Sequence, residues 1–171
     1  ELHRRAAQGL EAMAPLGLPV AAAELAEHHE RSHDATAAIR HSAEATRLAV
    51  ARFAPQEAVR LARRALALLG RSDALPRPER DALELGLHAH QAVAFAQYLG
   101  FAAPEREVSL ARALELCERR PAAAAHGWIH GGLGWIHMAR ADYRQALRMA
   151  ERVETLGRRF DDPAVVVCAL N

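Results

Sequence analysis

Apolar residues recur every three to four positions through most of this chain, and prolines and glycines interrupt the rhythm at intervals suited to helix–helix connections. The pattern predicts a first helix over 1–14, ended by Pro15, Gly17 and Pro19, and a second over 20–32. Asp34 can cap a third, which carries Ile39, Ala43, Thr46 and Val50 at helical spacing. Pro55 suits the first turn of a fourth, where no backbone N–H is needed. The apolar stripe of that helix, Ala58, Leu61, Ala62, Ala65, Leu66 and Leu69, runs out at Gly70. The longest linker, 71–78, precedes a fifth helix over 79–99 that stops at Gly100. Pro104 opens a sixth, ending near Pro121. A seventh and eighth fill 122–158 around the Ala141-Asp142-Tyr143 turn, and Asp161-Asp162-Pro163 caps a ninth, cut short at 161–171. Strand-favouring residues are sparse and isolated, so the expected fold class is all-α.

Nine helices with short loops leave a bundle or a solenoid as the choices. Internal similarity favours the solenoid. The stretches around Ala62, Ala111 and Ala150 repeat one design, Glu/Gln-led with alternating Ala, Leu and Arg, and these alanines lie 49 and 39 positions apart. Recurrence at 20–50 residues marks stacked repeats, here irregular ones. We expect helix pairs at about 1–33, 34–70, 79–120 and 122–158 within one helical-repeat domain over 1–171.

Composition sharpens this picture. Alanine occurs forty times and aromatic residues make up 5%, so the core is built from small side chains that let helices approach closely. All 22 basic residues are arginine, a bias we attribute to a GC-rich genome. The net charge of +1 and pI near 8.2 fall short of the basic balance of a nucleic-acid binder, and nothing in the sequence advertises a charged stripe on one face. Cys117 and Cys168 are too few and too far apart for a disulfide framework or zinc knuckle, and read as buried thiols of a cytoplasmic protein. No apolar run approaches the roughly 18 residues of a membrane span, and we expect no signal peptide. The chain opens without Met inside a helical pattern and stops inside another, so we expect a fragment of a larger protein.

Leu133-Gly134, Ala141-Asp142-Tyr143, Ala146 and Ala150, with Trp128 or Trp135 before them, resemble the tetratricopeptide repeat. The first pair, with Ala58, Ala62 and Ala65, fits less closely, and 79–120 departs most, through an inserted-looking Ala102-Ala103-Pro104. A broader likeness comprises Leu2-His3-Arg4-Arg5-Ala6-Ala7, Ala23-Glu24-Leu25-Ala26-Glu27-His28-His29 and Gln97-Tyr98-Leu99-Gly100-Phe101 leading to Ala111-Arg112-Ala113-Leu114. It resembles the helical region of bacterial signal-transduction ATPases fused to adenylate/guanylate cyclase or transcriptional-activator domains. The resemblance implies a right-handed α-solenoid of irregular tetratricopeptide-like pairs and a non-catalytic role in protein–protein or interdomain contact. No P-loop occurs, so nucleotide chemistry would lie elsewhere in such a protein.

His29-Glu30-Arg31-Ser32-His33 is a literal H-E-x-x-H, which on a helix puts two zinc ligands on one face beside a general base. Thr36 and Ile39 stand where a metzincin has Gly and a third His, and Asp34 as a cap leaves His33 at a helix end. A zinc-dependent hydrolase is therefore the alternative reading, with Glu44 or Glu57 as further ligands, and a purely structural oligomerisation module is another. His126, His130 and His137 lie on roughly one helical face and read as half-buried groove or packing histidines, a structural or adventitious metal site being the other reading.

Trp128 and Trp135, seven apart, share a face too and form a candidate aromatic platform, the competing reading being that both are core. Gly131, Gly132 and Gly134 are costly in a helix unless another helix or a bound segment approaches closely. If Leu133-Gly134 sets the register, Arg40, Glu44 and Arg47 of the first pair join the same concave side, as solvated charges or as a clamp for an acidic peptide. The candidate groove is thus Arg40, Glu44, Arg47, Trp128, Gly131, Gly132 and Trp135. Its expected partner is a protein or peptide segment or another domain of the same polypeptide, with the fragment also able to form a homodimer. No catalytic residue, metal, cofactor, nucleic acid or membrane partner is expected.

Overall fold

Eight α-helices make up the computed structural model, which describes residues 1–13, 21–119 and 123–160, side chains excepted at 123–126 and 160. They are α1 (Leu2–Met13), α2 (Ala22–Arg31), α3 (Ala35–Ala51), α4 (Pro55–Arg71), α5 (Arg77–Leu99), α6 (Pro104–Arg119), α7 (Ala123–Ala139) and α8 (Tyr143–Phe160). Among the described residues there is no strand, so the chain is all-α as its periodicity predicts. The predicted ninth helix, its Asp161-Asp162-Pro163 cap and Cys168 lie outside the described residues. α5 starts at Arg77, two positions before the predicted start, because the Pro76 carbonyl accepts from both Glu79 N and Arg80 N and Pro78 is tolerated in a first turn.

Contacts divide the chain into two compact units, Glu1–His90 and Gln91–Asn171, with the boundary inside α5. In the first, α1 packs on α2, α2 on α3 and α3 on α4. Its core is alanine-built: Ala38, Ala49, Ala58, Ala62 and Ala65 are fully buried, and Ala62 and Ala65 pack with Leu87 of α5. Small side chains bring helix axes close, and larger residues fill the remaining spaces, as Ile39, Leu69 and Leu75 do together. The predicted α4 stripe is buried except for Leu66, which is partly so.

In the second unit α6 packs on α7 and α7 on α8. Leu110, Ala113, Leu116 and Cys117 of α6, Ile129 and Ile136 of α7 and Val153 of α8 are among its buried apolar residues. Burial pushes the Cys117 thiol pKa up, which keeps it protonated and unreactive, as expected of a core thiol.

One turn recurs at three corners. After α2 the His33 N–H bonds the Glu30 carbonyl at 3.1 Å and the Asp34 N–H bonds the His29 carbonyl at 2.9 Å. After α3, Phe53 bonds Val50 and Ala54 bonds Ala49; after α7, Ala141 bonds Met138 and Asp142 bonds His137. These are the paired bonds of a Schellman motif, which turns the chain through one left-handed residue. That residue is His33 (φ 64°), Phe53 (φ 57°) or Ala141 (φ 58°), none of them glycine. The next residue already begins the following helix. Asp34 Oδ1 accepts from Ala37 N at 3.0 Å and Asp142 Oδ1 from Gln145 N at 3.3 Å, both as N-caps.

Candidate functional site

The two tryptophans of α7 stand on its open side. Trp128 is 38% and Trp135 49% exposed, whereas Ile129 and Ile136, one position on, are buried. Seven residues return an α-helix to nearly the same bearing, so the indoles form one stripe with Gly131 between them and Met138, also exposed, at its end. The stripe from Trp128 to Met138 is about 15 Å long. Phe101, exposed in the turn after α5, extends it: its ring centroid lies 6.2 Å from that of Trp135, at 41°. Isolated exposed apolar residues are ordinary, but contiguous aromatic ones are not.

Arg106 fixes this edge from below. Its buried guanidinium donates through Nη1 to the carbonyls of Phe101 and Gly132, at 3.0 Å each, and lies 5.3 Å from the centre of the Phe101 ring. Burial lowers the Arg106 pKa, and bonding to two carbonyls satisfies a charge that would otherwise be costly there. Gly132 is buried at the same contact. A Cβ on it would stand 3.0 Å from a Leu110 methyl and 3.3 Å from Arg106 Nη2. Of the two explanations that the glycines admitted, close approach by another helix therefore holds for Gly132. Gly134 likewise sits against α8, its Cβ position 3.4 Å from the Met149 Cβ.

Arg40, Glu44 and Arg47 all lie exposed on α3 in the first unit, and each is engaged. Arg40 Nε donates to Glu79 Oε1 at 2.7 Å, and Arg47 makes a two-pronged pair with Glu44 at 2.8 and 2.6 Å. The bond from Arg47 holds the Glu44 carboxyl below its usual pKa, and that from Arg40 does the same for Glu79. An acidic peptide would have to displace these partners to be clamped.

The H-E-x-x-H match does not build the site its spacing suggests. α2 ends at Arg31, and His33 is the exposed left-handed residue of the following turn, so it shares no helical face with His29. Glu30 is bound by Arg64 Nε at 2.5 Å, Glu44 by Arg47 and Glu57 by Arg52. His29 instead belongs to a cluster that the sequence spacing conceals. Its Nε2 lies 2.9 Å from Glu11 Oε1 of α1, and its ring stacks on that of His41 of α3, centroids 5.2 Å apart and 10° from parallel. His41 Nε2 is 3.7 Å from the same Glu11 oxygen. On the other edge of His29, Nδ1 is 3.7 Å from Asp34 Oδ2, whose partner oxygen is held by the cap. Burial, aided by the neighbouring His29, lowers the His41 pKa and favours its neutral form.

Of the α7 histidines, His130 is buried and His137 half-buried, with Nδ1 3.5 Å from Asp142 Oδ2. The His126 side chain lies outside the described residues. No helix among the described residues is long and apolar enough to cross a membrane. Compared with known proteins, the chain matches no family model, no curated protein and no solved structure.

Proposed function

We propose that this chain is a non-catalytic protein–protein or interdomain interaction module, which takes an apolar peptide segment or a neighbouring domain against the aromatic stripe of α7. The observation that carries the reading is the exposure of Trp128 and Trp135 on one side of a helix whose opposite side is core. Tryptophan is costly to leave in water and is enriched among residues that dominate binding energy. Phe101 and Met138 lengthen the platform, and the Arg106 bonds hold its edge in place before any partner arrives, which lowers the ordering cost of binding. Gly131 leaves a position without a side chain between the indoles, where a partner side chain can seat.

In this reading the helix pairs are irregular tetratricopeptide-like repeats of a right-handed solenoid. Packing between chain neighbours and the three repeated Schellman turns support that assignment. The wider setting, a cytoplasmic bacterial regulatory ATPase, cyclase or transcriptional regulator, rests on the sequence resemblance. Docking on α7 would bias the activity of an attached domain.

The test is a peptide-library selection on the whole chain, followed by titration of the selected peptide against Trp128→Ala, Trp135→Ala and the double variant. Each single change is expected to weaken binding about thirtyfold, as for a contact worth about 2 kcal/mol. Undiminished binding to a double variant of unchanged helicity would overturn the reading, as would a library that yields no ligand.

A further inference from the structure

We infer that Glu11, His29 and His41 form a binding site for a zinc-class divalent transition-metal ion that clamps α1 onto α2 and α3. The site is independent of the aromatic stripe and lies wholly within the first unit. Each residue offers one donor atom, and the three donors lie within 4.8 Å of one another. Zinc bonds of about 2.0–2.1 Å in tetrahedral geometry require donors about 3.4 Å apart. The two edges that meet at Glu11 Oε1, 2.9 Å to His29 and 3.7 Å to His41, bracket that length. The third edge lies within 4.8 Å, and the His41 ring, partly exposed at the cluster's rim, must swing out of its stack on His29 to close it. Two imidazoles and a carboxylate are the donor types that zinc prefers, and three protein ligands leave a fourth position for water or an incoming group.

Two further observations point the same way. The first is that the other nitrogen of His29, Nδ1, faces Asp34 Oδ2 at 3.7 Å, on the edge away from Glu11. A carboxylate behind a metal-bound histidine fixes its tautomer and orientation. Here the carboxylate is itself anchored, since Asp34 caps α3 through its other oxygen. The second observation is how thinly α1 is held. Of its residues Ala7 alone is buried, and its other contacts with α2 include a His3–His28 imidazole pair at 2.9 Å. An ion bonded to Glu11 would supply what the apolar contact of α1 lacks, and would make its docking depend on metal.

The experiment titrates the whole metal-free chain with zinc against a chromophoric chelator, and repeats the titration with cobalt as a spectroscopic probe. One ion per chain is expected, with intense visible cobalt bands from a four-coordinate site and a raised Tm. Glu11→Gln and His41→Gln alter exposed or half-exposed positions and should each weaken zinc at least tenfold while helicity is retained. Asp34→Asn keeps the cap and should weaken it about tenfold by removing the carboxylate behind His29. His33→Ala should change nothing. Equal affinity in the Glu11→Gln/His41→Gln double variant would overturn the site, leaving adventitious binding by other histidines. So would loss of the ion in His33→Ala, which belongs to the H-E-x-x-H reading.

Discussion

The corner after α2 and the corner after α7 are built from the same parts and put to different uses. Each closes with a Schellman turn, and each sets an aspartate five residues after a histidine, as the cap of the next helix. In each the histidine Nδ1 stands 3.5–3.7 Å from that aspartate's Oδ2. The sequences, His29-Glu30-Arg31-Ser32-His33-Asp34 and His137-Met138-Ala139-Arg140-Ala141-Asp142, share only the His and Asp. What differs is the neighbourhood. The first corner meets Glu11 and His41 and becomes a polar cluster. At the second, Arg140 reaches back to Glu107 at 2.7 Å, and Met138 lies exposed on the aromatic stripe. The backbone bonds make the corner, and the packing of other helices decides what chemistry it carries.

The units also differ in how they use glycine, and that contrast gives the largest expected effects. Gly132→Val in the second unit forces a branched side chain into Leu110 and Arg106, and should cost about 2–3 kcal/mol in chemical denaturation. Gly86→Ala in the first unit meets nothing within 4 Å and should instead gain up to about 1 kcal/mol. If both glycines respond alike, close helix approach is not what distinguishes them. Arg106→Met, which leaves two carbonyls without their charged donor, belongs with Gly132→Val at about 2–3 kcal/mol.

The shared corner predicts matched, smaller losses. Asp34→Ala and Asp142→Ala each remove an N-cap bond and should each cost about 1 kcal/mol. In metal-free protein the two values should agree within a few tenths. With zinc present, only the Asp34 variant should lose more, and an equal zinc effect on both would break the distinction between the corners. Phe53→Gly, at an exposed left-handed position, should stabilise by about 0.5–1 kcal/mol, because glycine adopts that conformation without steric cost. The same sign is expected for Ala141→Gly.

These local features were largely legible in the sequence. Asp34, Pro55 and Pro104 mark helix starts by chemistry that acts within one turn, and the α4 stripe records its burial at helical spacing. The metal-ligand cluster was not. Glu11 and His41 lie 18 and 12 positions from His29, and only packing of three helices brings them together. The H-E-x-x-H spacing drew attention to the right histidine with the wrong partners, since it presumed a helix running through His33, whereas α2 ends at Arg31. A recurring histidine five residues before an aspartate cap was the one signal available, and it marks the corner without disclosing its contents. The unit boundary was equally hidden, because α5 continues without a breaker through His90 and Gln91.

The smallest effect expected is a pH dependence confined to the first unit. His90 of α5 is half-buried, and burial is the main cause that lowers its pKa from 6.5. Arg47 of α3 adds to the lowering, while the Gly86 carbonyl and Glu44 of α3 oppose it. The folded chain thus holds fewer protons at this ring than the unfolded one, and stability rises with pH wherever that is so. Above pH 6.5 both states are neutral there and nothing is lost. As pH falls below 6.5 the unfolded chain gains a proton that the folded chain refuses, and Tm drops until the lowered folded pKa is reached. His90→Gln should therefore flatten the Tm profile between pH 7 and 5 in metal-free protein. Glu44→Gln should steepen it, since it removes a favourable charge and releases Arg47 from its pair. If the two variants leave the profile unchanged, the acid sensitivity lies in other groups.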